Sequence, residues 1–200
     1  MGINDFNGIA PFYDRCSALI FGDRLVASQT SFFDVLEGDH HVLIAGGGTG
    51  KVLPHLPKVK SITFLDKSER MIELASEKAV KQPVQFQSQD LFSYSPNIQF
   101  DAILCPFFLD CFHEENLNRA IGMLKQLLKP TGHLLITDFE LGSLNATLSS
   151  AMHLFFRIVA NLEARCLQPI HQRVLDHGFR VKDQKFFYRN MIFSRVYRNL

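Results

Sequence analysis

Two hundred residues is the length of one domain and enough chain to bury a sizeable core. Apolar residues at 46% and charged residues at 20% are ordinary for a globular protein. A net charge of +1 with scattered Lys and Arg removes the electrostatic case for a nucleic-acid partner, because phosphate affinity needs clustered cations.

Other classes fall away on similar grounds. The greasiest stretch, 151–160, is broken by His153 and Arg157 and falls short of the ~20 residues a spanning helix needs, so no membrane span is expected. Cys16, Cys105, Cys111 and Cys166 form no CxxC pair, and no metal site is expected. The opening MGINDFNGIAPFYD lacks the basic-then-apolar pattern of a signal peptide. Phe6 also stands where myristoylation wants Ser or Thr. A cytoplasmic location with reduced thiols is the expectation. Nineteen Phe and no Trp point to aromatic surface beyond what a core needs.

In chain order, HHVLIAG (40–46) reads as a buried strand stopped by glycines, and KSITFLD (60–66) as a second. SERMIELASEKAV (68–80) carries a helical apolar stripe behind a Ser68 start. PVQFQSQD (83–90) and FDAILCP (100–106) are short strands, NLNRAIGMLKQLLKP (116–130) an amphipathic helix, and HLLITDF (133–139) a fifth strand. This alternation predicts a parallel sheet covered on both faces. A helix over 167–179 follows, then strands at 180–189 and 191–199 too close together for a crossover, so they pair antiparallel. The basic residues of that hairpin (Arg180, Lys182, Lys185, Arg189, Arg195, Arg198) have the alternation of a solvated face.

After the first strand comes Gly46-Gly47-Gly48-Thr49-Gly50-Lys51. Glycines let the backbone turn sharply and present N–H groups to a ligand at the start of a helix. A phosphate-binding P-loop fails, with Ala45 at the first glycine position and Val52 after Lys51. The dinucleotide fingerprint fails at Lys51. Asp66 ends the second strand sixteen residues past Gly50, where nucleoside-binding sheets hold ribose hydroxyls, and Asp90 ends the third. Either aspartate alone is more often a turn or cap. Together, in register with the glycine loop, they mark a nucleoside crevice.

VLIAGGGTGKVLPHL resembles motif I of the class I methyltransferases that use S-adenosylmethionine (SAM), and FLDKSERMIELASEKA their acidic second-strand motif. QDLF (89–92) resembles the adenine-side motif, LLKPTGHLLITDF the helix-to-fifth-strand segment, and FNGIAPFYDRCSALIFG the start of the ubiquinone/menaquinone-type small-molecule enzymes. The resemblance implies a Rossmann-like, doubly wound seven-stranded sheet, mostly parallel with an antiparallel C-terminal hairpin. It implies methyl transfer from SAM, with S-adenosylhomocysteine (SAH) as product, to a small acceptor. By the same resemblance Gly46, Gly47, Gly48, Thr49 and Gly50 face the methionine part, and Asp66 holds the ribose diol. Lys67, Ser68 and Met71 flank ribose and adenine, Asp90 and Leu91 meet the adenine edge, and Cys105 and Pro106 close the site. One departure stands out: Ile44 occupies the position, two before the first glycine, where the family often has an acid directed at the SAM amine. Tyr13 or backbone carbonyls are the expected substitutes.

The acceptor side is less readable. CPFF (105–108) echoes the tetrad of amino-methylating enzymes, but Cys105 lacks the carbonyl that steers an amine. His113, Glu114, Glu140 and His153 are candidate bases, and none is assigned. Segments 1–35 and 142–165 are expected to form a lid. Residues 144–162 are apolar around too much of a helix for one buried face. With Phe12, Tyr13, Phe107, Phe108 and Phe112 they could wall a hydrophobic or aromatic acceptor pocket; a dimer contact or plain core is the alternative. A non-catalytic SAM-binding protein and a nicotinamide-dependent oxidoreductase are the rival functions, the second disfavoured by Lys51 and the terminal hairpin.

Overall fold

The computed structural model describes residues 24–78, 80, 82–140 and 168–199. Tyr13, His153 and the expected lid over 142–165 lie outside them, as does most of segment 1–35. Seven strands form one sheet: β1 (His41–Ala45), β2 (Ser61–Asp66), β3 (Val84–Ser88), β4 (Phe100–Pro106), β5 (Leu128–Phe139), β6 (Phe179–Phe187) and β7 (Ile192–Asn199). Their order is β3-β2-β1-β4-β5-β7-β6. The first five run parallel, and β7 lies antiparallel to both β5 and β6.

Alternation along each strand divides the core. Leu43 and Ala45 of β1 and Ile103 and Cys105 of β4 face one side, where α3 (Glu114–Leu127) supplies Leu117, Ile121 and Leu124 and α4 (Ile170–Asp176) supplies Val174. Val42, Ile44, Ile62 and Phe64 face the other, packed by Phe32, Phe33, Leu36 and by Ala75 of α2 (Glu69–Ser76). A short helix, α1 (Arg24–Thr30), lies across β5 and β7: its Ser28 carbonyl accepts from Thr137 Oγ1 at 3.4 Å.

Local departures from the sequence reading have identifiable causes. No α-helix follows the glycine loop; only a single 3-10 turn, Leu53–His55, is present. Pro54 sits inside that turn and Pro57 two residues beyond it, and each removes the N–H that a longer helix would need. Helix α3 starts at Glu114 because His113 caps it, Nδ1 accepting the Asn116 N–H at 3.5 Å. It stops at Leu127 because Pro130 biases Lys129 to extended backbone. Strand β5 therefore begins at Leu128, five residues early, and accommodates the offset with a register shift opposite Phe100 and Ala102. The C-terminal helix is likewise shorter than expected, Ile170–Asp176.

The hairpin's basic face is solvated with one exception. Arg195 is 4% exposed, pairs with Glu140, donates its Nε–H to Gln184 Oε1 and lies over the rings of Phe193 and Phe186. On β7, a central strand of the sheet, alternation selects between two covered faces, so charge alone did not report burial.

Candidate active site

Strand order reverses between β1 and β4, and the carboxyl ends of parallel strands there leave a crevice. A cavity of about 310 Å³ opens at that point. Gly46, Gly47, Gly48 and Thr49 line it, with Asp66, Lys67 and Met71 from the end of β2 and the start of α2, Asp90 and Leu91 after β3, and Pro106 at the end of β4.

The loop is shaped so that only glycine fits. Gly46 has φ +65°, and a Cβ there would stand 2.1 Å from Phe108 Cδ2. A Cβ on Gly47 would stand 2.2 Å from Phe64 Cζ. Gly48 (φ +58°) has nothing near its Cβ position, which faces open space. Behind the loop, Asp66 acts as a brace: Oδ2 accepts the Gly48 N–H and Oδ1 the Ser68 N–H, both at 2.9 Å. Burial raises the Asp66 pKa, opposed by those two N–H donors and by Lys67. A carboxylate has about four lone-pair sites, so the brace leaves acceptor capacity for a diol. Asp90 caps its own turn at the cavity wall, Oδ1 accepting the Phe92 N–H at 2.8 Å.

Three residues expected at the ligand do not line the cavity. Gly50 (φ +74°) turns the loop against α2, where a Cβ would come within 2.8 Å of the Ala75 Cβ. Ser68 is buried as the cap of α2, accepting the Met71 N–H at 3.2 Å. Cys105 points into the core by strand alternation, its thiol pushed up by burial and then by Asp138. In their places stand Lys51, Val52 and Gln89.

The far end of the cavity is aromatic. Phe107, Phe108 and Phe112 line it with Cys111, and α1 contributes Leu25 and Gln29. Phe107 holds φ +53°, a costly conformation for a bulky residue. It is retained by an N–H bond to the Thr137 carbonyl (2.7 Å) and by the Phe139 ring at 5.2 Å. Phe108 and Phe112 meet edge to face at 5.1 Å.

Behind this wall is a pair of acids the sequence reading did not single out as a unit. Asp138 is fully buried; Oδ2 accepts the N–H groups of Leu109 and Asp110 (3.1 and 3.2 Å) and Oδ1 that of Phe139 (2.9 Å). Burial and then the Asp110 charge push it well up, and burial pushes Asp110 up to about 6. Burial thus favours the protonated forms of the pair, which ties the loop after β4 to β5. No local motif announces it, because Asp110 and Asp138 meet only through the β4–β5 pairing. The candidate bases lie elsewhere: Glu114 pairs with Arg173, Glu140 with Arg195, and His113 caps α3. Among the described residues, none of them lines the cavity.

Residues 42–132 match the methyltransferase domain family. The chain is 32% identical over 151 residues to a demethylmenaquinone methyltransferase from Leptospira interrogans, covering 67% of this chain. It spans 58% of that relative's length. Among solved structures, the putative methyltransferase bound to the Trm112 activator of Haloferax volcanii superposes with a TM-score of 0.74 at 14% identity, covering 99% of both chains. A DhpI–SAH complex gives 0.72 at 19% identity, covering 97% of this chain and 93% of that one. The strand order, the antiparallel hairpin and these matches agree: the chain belongs to the class I SAM-dependent methyltransferases.

Proposed function

We propose that this chain transfers a methyl group from SAM to a small hydrophobic or aromatic acceptor, with a quinone-like or phenolic ring the best fit. One observation carries the reading: a single cavity joins the glycine loop and two aspartates to a wall of Phe107, Phe108 and Phe112. The residues fit the cofactor, since the loop's glycines leave a cradle beside Asp66 and Asp90. Gly46 to Thr49 would face the methionine part, Asp66, Lys67 and Met71 the ribose, and Asp90 and Leu91 the adenine, with Pro106 closing the site.

When bound, SAM supplies a methyl group on a sulfonium, and the acceptor's nucleophile–carbon bond forms as the carbon–sulfur bond breaks. The chain's part is to align and to exclude water, which can supply much of the acceleration. The apolar wall stacks a flat acceptor and keeps the site dry. Helix α1 would be part of the cover expected from segment 1–35. The name of the Leptospira relative makes a naphthoquinol the first acceptor to try.

The experiment has two stages. Calorimetry with SAH should show binding, and transfer from methyl-labelled SAM should then favour naphthoquinols and phenols over polar amines. A chain that binds neither SAM nor SAH at millimolar ligand defeats the proposal. Binding without transfer to any acceptor would favour a non-catalytic SAM-binding protein.

A further inference from the structure

We propose that Gln29 recognises the α-ammonium group of the cofactor's methionine portion, accepting its hydrogen bond at Oε1. The inference rests on SAM occupying the cavity as argued above. Gln29 lines that cavity, yet among the described residues its Oε1 is buried and has no hydrogen-bond donor. A buried acceptor without a donor is costly, and most such atoms in native proteins have a partner. At the wall of a ligand cavity, the missing partner is a donor carried by the ligand.

The position of α1 selects which donor. Ser28, next to Gln29, meets Thr137 of β5, and Thr137 pairs with Pro106 at the end of β4. Gln29 therefore enters from the β4–β5 side, across the glycine loop from Asp90. A nucleoside whose ribose and base lie at Asp66 and Asp90 directs its 5′ substituent toward that side. An ammonium has only donors to offer and must find oxygen acceptors. The strand position nearest the loop cannot help: Ile44 is fully buried and faces Phe32, Phe33 and Leu36 in the core. The amide of Gln29 supplies an acceptor from α1 where the strand supplies none.

The test uses SAH and its desamino analogue, which keeps adenosine, sulfur and carboxylate but lacks the amine, with each dissociation constant measured by calorimetry. Gln29→Leu should weaken SAH by about tenfold to a hundredfold, the range for a hydrogen bond to a charged group. It should leave the desamino analogue within about threefold, which also reports that the cavity is intact. Gln29→Glu, keeping an acceptor, should hold SAH near the unsubstituted affinity and stay informative if the leucine variant does not fold. Equal losses for both ligands, or no loss for SAH, would overturn the assignment of Gln29 while leaving cofactor binding standing. A raised acceptor KM with unchanged SAH affinity would also overturn it, assigning the amide to the methyl acceptor. Failure of the unsubstituted protein to bind SAH would remove this inference together with the function beneath it.

Discussion

The β1–β3 end of the cavity is built largely from backbone and two carboxylates, whereas the end at β4 and α1 is built from large side chains. At the first end, glycine torsions and the Asp66 brace fix the shape, so few sequences can make it. At the second, Phe107, Phe108 and Phe112 fill space by packing, and many side-chain sets would serve. A cofactor common to a family needs the first kind of surface, and an acceptor particular to one enzyme needs the second. The two ends touch where Phe108 lies over Gly46.

Substitutions at that contact should separate the ends. Gly46→Ala places a methyl group into the Phe108 ring at a left-handed φ, and SAH affinity should fall by about a hundredfold or more. In a Phe108→Ala background the same change should cost markedly less; a strictly additive cycle would show that the ends are independent. Asp66→Asn keeps the size but sets an amide donor against a backbone N–H, and SAH affinity should drop by about tenfold to a hundredfold. Phe108→Ala alone should raise the acceptor KM by about tenfold and leave SAH within about threefold, a split that a general unfolding would not produce. Gly48→Ala meets no atom and bears only torsional strain, so thermal melts should show a loss of about 1–2 kcal/mol.

Two titrations, one buried and one half-buried, make the smallest and most specific contrast. The Asp110–Asp138 pair has raised pKa values, so its stabilising contribution is full below the ordinary carboxylate range and is lost as pH rises through about 6. His133 behaves oppositely. Burial, then Lys182 and Arg198, hold it down to about 4, and both cations approach its Nε2, at 3.3 and 3.2 Å. Its contribution is present above about 6.5 and is lost as pH falls through about 4. Melting curves between pH 4 and 7 should steepen upward with pH in Asp110→Asn and flatten in His133→Gln. Identical profiles for the two variants would contradict both assignments.

The same contrast explains what the sequence disclosed. Gly46, Gly47, Gly48, Asp66 and Asp90 were readable as neighbours of one cavity because close backbone approach and strand-end position leave a residue signature at fixed spacing. Strands β1, β2 and β4 were readable because each is apolar and bounded by turn residues, and the antiparallel pairing of β6 with β7 because too little chain separates them for a crossover. The single 3-10 turn after the glycine loop follows from Pro54 and Pro57, each of which removes an N–H that a longer helix would need. Arg195, Gln29 and the Asp110–Asp138 pair were beyond local reading. Arg195 and the acid pair take their meaning from neighbours far along the chain, Gln29 from the cavity it lines, and burial of a polar side chain depends on which elements end up covering it.

With no α-helix behind the glycine loop, the Asp66 side chain joins the backbone bonds to Leu65 in holding it. The oxygen of residue 66 that steadies Gly48 belongs to the group expected to grip the ribose. In the proposed function, ligand choice and scaffold stiffness thus share one carboxylate, and replacing that aspartate also slackens a segment eighteen positions upstream. Engineering a different nucleoside preference here would require a new anchor for the loop before a new hook for the sugar.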